Sequence, residues 1–190
     1  MKTLLKNGKI YDGTGTAPYV GSVLYEDDRI LAVGPNLDES AADKVVDLTG
    51  QSIAPGFIDG HSHNDWFAIK KEPKKYFEPF IRQGITSFVA GNCGVATIGF
   101  DPDTPNVDQV GAGLFFFQDT TGKYASFNDW AAAVDGNMPC NIAELTGHCS
   151  ARSSVAGHKA DKLTPAAAEG MLALMERVLP HVNVILVEDV

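Results

Sequence analysis

The rhythm of apolar and polar positions changes character near residue 53. Before it, Leu4-Leu5, Lys9-Ile10-Tyr11, Ser22-Val23-Leu24-Tyr25, Arg29-Ile30-Leu31-Ala32-Val33 and Val45-Val46-Asp47-Leu48 are short β-rich runs broken by turn residues, and Asn7-Gly8 carries a hairpin signal. These runs predict a small β module over residues 1–52, half of a β-sandwich. After it, short apolar strands alternate with amphipathic helical stretches, the signature of βα units built on a parallel sheet.

The first unit reads as a strand from Ile53 to His63 and a helix beginning at Pro73, with Tyr76, Phe77, Phe80 and Ile81 on one face and Gly84 as its end. A second strand, Ile85 to Ala90, leads into Gly91-Asn92-Cys93-Gly94 and then into an irregular stretch reaching about Ala125. Ser126 is placed to cap a helix running through Val134, and a third strand runs from Asn141 to Thr146. Thr164-Pro165 opens a helix with Met171, Leu174, Met175 and Val178 on one stripe, and Val182 to Val187 is a fourth strand. A complete eight-unit barrel takes ~250 residues, roughly 31 per unit. The 138 residues left after the β module therefore suffice for about four units. The expected fold is α/β: an incomplete TIM-type (β/α) barrel over residues 53–190, preceded by the small β module.

Composition narrows the functional classes. With 44% hydrophobic and 21% charged residues the chain can bury a core, so disorder is not the expected state. A net charge of −9 with the 15 basic residues scattered leaves no stripe to follow a phosphate backbone, so nucleic acid is not an expected partner. Three cysteines, Cys93, Cys140 and Cys149, lack the dense spacing of a secreted disulfide scaffold. The N-terminus holds no apolar stretch of a signal peptide, and no run approaches the ~20 residues of a spanning helix. The expectation is a cytoplasmic protein with no membrane partner.

The chemistry concentrates in Ala54-Pro55-Gly56-Phe57-Ile58-Asp59-Gly60-His61-Ser62-His63. On a strand, residues two apart share a face, so Asp59, His61 and His63 project to one side, with both imidazoles at the C-terminal end. In parallel α/β barrels that end forms the active-site mouth, and neutral imidazole is a good zinc ligand. Cys93 ends the next strand, which puts it on the same rim. Taken alone, a His-x-His pair is polar decoration after a strand and a cysteine is a small buried residue.

In context, the segment through His63 closely resembles the metal-binding signature of the amidohydrolase superfamily. The stretch Gly84-Ile85-Thr86-Ser87-Phe88-Val89-Ala90-Gly91-Asn92-Cys93-Gly94 resembles its N-acyl-D-amino-acid deacylase (D-aminoacylase) branch, in which a cysteine at the matching place bridges metal ions. A thiolate suits that position because its charge offsets two nearby cations. Other amidohydrolases use a carboxylated lysine at the end of strand four, and Val182 to Glu188 contains none. Leu145-Thr146-Gly147-His148-Cys149-Ser150-Ala151-Arg152 resembles a Gly-His segment of the same branch; on that basis His148 and Arg152 face the cleft, with a capping histidine and a solvent-exposed arginine as the equal alternative. Asp59 either orients an imidazole or serves as a buried structural acceptor.

The resemblance covers about Met1 to Leu179, the N-terminal portion of the family pattern. It implies His61, His63 and Cys93 as metal ligands, zinc as the metal, one or two ions in the intact family, and a small N-acyl amino acid as the substrate. It also implies two later histidines and a proton-transferring aspartate that this sequence does not contain, so the chain is expected to be inactive alone. Two alternatives stay open: a non-catalytic metal-binding remnant or one half of a split enzyme, and a hydantoinase or dihydroorotase relative. An open half-barrel exposes a sheet edge, which favours self-association.

Overall fold

Strand-forming residues and turn breakers divide the first fifty positions into a sheet threaded by one long strand. In the computed structural model, which describes residues 1–101, 103–106, 124–157, 162–181 and the backbone of Ile185–Leu186, β1 (Lys2–Ile10) is that strand. It pairs antiparallel with β2 (Tyr19–Glu26) and parallel with β4 (Lys44–Asp47) and β5 (Ser52–Ile53), while β3 (Arg29–Gly34) extends the sheet beyond β2. Leu4, Ile10 and Val23 are buried between these strands and what covers them, whereas Val20, Ile30, Leu31, Val33 and Val45 remain exposed.

Asn7-Gly8 is not a hairpin. It lies inside β1, where the register against β2 shifts between Leu5 and Gly8, and Asn7 takes φ 60°. Asparagine tolerates this left-handed conformation, so the pair makes a bulge that bends the strand instead of reversing it. The Asn7 amide donates to Asp47 Oδ2 at 3.1 Å and fixes the bend to β4.

By its internal contacts the chain divides into Met1–Gly56 and Phe57–Val190. In the second unit β6 (Phe57–Asp59), β7 (Ile85–Ala90) and β8 (Asn141–Glu144) form a parallel sheet in that order, and β9 (Thr146–Gly147) pairs in parallel with β10 (Ile185–Leu186). Helices α1 (Asp65–Ala68), α2 (Pro73–Arg82), α3 (Phe127–Val134), α4 (His148–Ala156) and α5 (Pro165–Val178) flank it. The result is an α/β architecture with an open sheet, the expected incomplete barrel after a β module.

The predicted strand from Ile53 to His63 breaks in two. Ser52–Ile53 belongs to the first sheet, Phe57–Asp59 to the second, and Ala54-Pro55-Gly56 between them pairs with neither, since proline lacks the donor a ladder needs. Helix caps behave as their residues dictate: Ser126 Oγ accepts the Asp129 N–H at 3.2 Å, and Thr164 Oγ1 that of Ala167 at 3.2 Å. On α2 the expected stripe is narrower than predicted. Phe77 is fully buried and Phe80 partly so, while Tyr76 and Ile81 are each 43% exposed at its margins. Phe77 stacks on Phe88 of β7 with centroids 5.3 Å apart, and Phe80 meets both rings edge-on. The Phe115-Phe116-Phe117 run and His158 lie outside the described residues. His181 stacks on Phe127, 5.5 Å between centroids. Among the described residues no helix is long and apolar enough to cross a membrane.

Candidate metal centre

The two histidines do not lie on the strand itself; they follow it in a turn. Asp59 pairs with Phe88, but the next link between the chains is the Ser62 N–H donating to Val89 O at 2.9 Å. The β6 side therefore spends three residues where β7 spends one, and Gly60-His61 is pushed out of the ladder as a bulge that re-aims the His61 side chain. Asp59 starts the turn: its Oδ1 accepts the His61 backbone N–H at 3.1 Å. Its effect on the imidazole runs through the main chain.

The cysteine is held by backbone geometry of unusual density. Gly91, Cys93 and Gly94 take φ of 76°, 55° and 68°, so the chain coils tightly directly after β7. A Cβ on Gly91 would stand 2.2 Å from Leu145 O, and one on Gly147 would stand 2.4 Å from Gly94 O. The turn is thus wedged against the main chain of the third strand on both sides. Between the glycines, the buried Asn92 amide donates to Val89 O at 2.9 Å and to Ser62 O at 3.2 Å. One side chain ties the cysteine turn to the histidine turn. Asn92→Ala is expected to destabilise the chain by about 1–3 kcal/mol through the two stranded acceptors and to weaken metal retention roughly 10–100-fold. Thermal unfolding and zinc titration check both numbers; an unchanged zinc affinity would show that Asn92 does not hold the two turns in register.

With these turns in place, the ligand atoms of His61, His63 and Cys93 all lie within 4.8 Å of one another. Cys93 Sγ is 3.5 Å from His61 Nε2, and the two imidazoles meet nearly edge-on, 5.4 Å between centroids. A tetrahedral zinc with its usual bond lengths separates a sulfur and a nitrogen ligand by roughly 3.6 Å, so this pair already stands at the spacing such an ion demands. Two neutral nitrogens and one thiolate are also a borderline-soft donor set, which suits zinc better than magnesium or calcium. The site is half open: His61 is exposed, His63 and Cys93 are half-buried.

Residues 44–189 match the amidohydrolase family. This chain belongs to that family. Over 155 residues, 80% of its length, it is 32% identical to a D-aminoacylase of Alcaligenes xylosoxydans xylosoxydans, and it covers 30% of that enzyme. Its structure superposes on a D-aminoacylase described by its binuclear metal centre with a TM-score of 0.78 and 28% identity, covering 96% of this chain and 37% of the other. An N-acyl-D-glutamate deacylase from Bordetella bronchiseptica, solved with zinc and a phosphonate mimic of the tetrahedral intermediate, gives 0.71 and 28%, covering 94% and 36%. The amidohydrolase chain thus spans about a third of the length of the relatives it matches.

The remaining candidates sit apart in role. His148 opens α4 and Arg152 follows one turn later, both half-buried, and neither belongs to the three-residue cluster. Sequence reasoning gave Asn92 no task of its own, although an asparagine between two glycines before a cysteine is the signal of a side chain clamping a turn. It also passed over Asp65 and Glu144, which are buried together. The signal was legible: Glu144 interrupts an apolar strand at a position facing inward.

Proposed function

We propose that this chain supplies the first ligands of a zinc centre that hydrolyses the amide C–N bond of N-acyl-D-amino acids. The observation that carries the reading is the convergence of two imidazoles and a thiol within 4.8 Å at the ends of adjacent parallel strands. The relatives named as D-aminoacylase and N-acyl-D-glutamate deacylase support the substrate class.

His61 and His63 would hold the ion through imidazole nitrogens, and Cys93, as a thiolate, would offset its charge and reach a second ion. When bound, such an ion polarises an amide carbonyl and brings the pKa of water to near 7. Asp59 and Asn92 keep the two ligand-bearing turns in place through the main chain. An acid or base must also carry a proton to the leaving amine, and among the described residues the cluster contains no carboxylate. The isolated chain is therefore expected to show no turnover of N-acetyl-D-amino acids; turnover abolished by His63→Ala would contradict this.

The deciding experiment is zinc content per chain after purification in chelator-free, zinc-supplemented buffer. Wild type should retain zinc, while His61→Ala and Cys93→Ala should each weaken binding on the order of tenfold or more. Equal retention in Cys93→Ala would remove the thiol from the centre and the deacylase reading with it. The strand at the open side, β6, leaves Phe57 and Ile58 62% and 71% exposed, which supports self-association through that edge. A monodisperse monomer in light scattering at high concentration counts against it.

A further inference from the structure

Asn7-Gly8, which reads as a hairpin in the sequence and forms a bulge in β1, leaves an amide in a reactive setting. Of the chain's asparagines only Asn7 precedes a glycine; Asn137 and Asn141, for instance, precede Met138 and Ile142. Glycine carries no Cβ, so nothing on Gly8 shields its main-chain nitrogen from the neighbouring side chain. Asn7 itself is exposed and takes φ 60°, a left-handed conformation that glycine adopts freely and asparagine at some cost. It is also paired in none of the three registers of β1. Against β2 the pairing jumps from Leu5 to Gly8, and along the other edge it passes from Lys6 opposite Asp47 to Lys9 opposite Ser52.

The side chain is tied down by its bond to Asp47 Oδ2 at 3.1 Å. Asp47 is fixed in turn: its Oδ1 accepts the Thr49 hydroxyl at 2.6 Å and the Thr49 N–H at 2.9 Å, and these bonds hold its carboxyl below the usual carboxylate range. It is therefore an anion at neutral pH, which suits an amide donor and would repel a carboxylate in the same place. The next residue leaves little slack. Gly8 is buried, and even a Cβ there would stand 2.6 Å from Ile53 Cδ1 and 2.7 Å from its Cγ1.

We propose that Asn7 is a site of spontaneous deamidation, through a cyclic imide with Gly8, and that the change loosens β1 from β4. The Gly8 nitrogen attacks Asn7 Cγ and forms a new C–N bond. The Cγ–Nδ2 bond breaks, and Nδ2 leaves as ammonia with the proton that Gly8 gives up. Water then opens the imide: attack at Cγ yields aspartate, and attack at the Asn7 main-chain carbonyl yields isoaspartate, with the chain rerouted through Cγ and lengthened by a methylene. Aspartate sets a carboxylate against Asp47 where an N–H donor stood. Isoaspartate lengthens β1 between Lys6 and Gly8, whose pairings with Asp47 and Gly21 fix the span on either side.

The test is peptide mapping by mass spectrometry of the full chain, kept folded in mildly alkaline buffer, with thermal unfolding read as it ages. Asn7 should convert to aspartate and isoaspartate well before Asn137 or Asn141. In step with that conversion, the unfolding transition of the β module should fall by roughly 4–8 °C as the bond to Asp47 is lost. Fresh Asn7→Asp should show the lower transition from the start. Asn7→Gly, which accepts φ 60° and has no amide, should gain no acid at position 7 and keep its transition on ageing. Should neither variant fold, the wild-type map decides alone. Asn7 left intact in the folded chain over a time in which the urea-unfolded chain converts overturns the proposal, and so does conversion at Asn137 or Asn141 first. An Asn7→Asp chain as stable as wild type overturns the loosening of β1.

Discussion

Gly91→Ala should unfold much of the second unit at temperatures the wild type tolerates and leave it unable to hold zinc. The new Cβ would stand 2.2 Å from Leu145 O, with the carbon and nitrogen of the same residue at 2.9 and 3.0 Å. Every one of these neighbours is main chain, so no side chain can swing away. At φ 76° alanine also carries the left-handed penalty of about 1–2 kcal/mol. Displacing a packed strand end adds roughly 1–3 kcal/mol, and the total is a large fraction of a typical domain stability of 5–15 kcal/mol. Gly136→Ala isolates the first contribution, because Gly136 has φ 70° and nothing within 4 Å of its would-be Cβ. Thermal unfolding of the two variants should differ by several degrees, with zinc retained in Gly136→Ala alone. If they unfold together, the wedge against Leu145 is not tight.

Phe77→Ala should be the most damaging of the ordinary core truncations, by about 3–5 kcal/mol. The ring is fully buried, stacked on Phe88 and edge-on to Phe80, so its removal opens a cavity between α2 and β7 walled by two other aromatics that cannot both collapse into it. Tyr76→Ala, one position away but 43% exposed and packed only at the margin against Phe67, should lose much less. Denaturant unfolding followed by tryptophan emission reads both, since Trp130 lies in the same cluster. Equal midpoints for the two variants would mean that the stripe on α2 is not what seats it on the sheet.

Much of this architecture was legible because period and punctuation agree. The helix after Pro73, the strand from Ile85 to Ala90 and the helix from Thr164-Pro165 combine an apolar stripe or run with a proline, a glycine or a capping hydroxyl at the predicted place. Helix α4 was not legible, because it buries serines. Ser150 both donates to Ala96 O and accepts from Ala96 N at 2.9 Å, and Ser154 accepts the Asp101 N–H at 3.3 Å. A helix face that packs through hydroxyl-to-backbone bonds has no hydrophobic period to read. His61, His63 and Cys93 were singled out by their resemblance to a metal-binding signature, but the means of placing them was not legible. A two-residue strand alternation put Asp59, His61 and His63 on one face; the actual aim of His61 comes from a bulge, which depends on where Ser62 rejoins β7.

The way Cys93 is held has a bearing on how such a centre changes over time. Its turn is located by close approaches among peptide groups, those of Gly91 with Leu145 and of Gly147 with Gly94, and by the Asn92 side chain that ties it to the histidine turn. Main-chain approaches of this kind do not depend on the identity of the side chains around them. A scaffold of this kind can exchange the side chains that line its mouth while the sulfur stays where the main chain puts it.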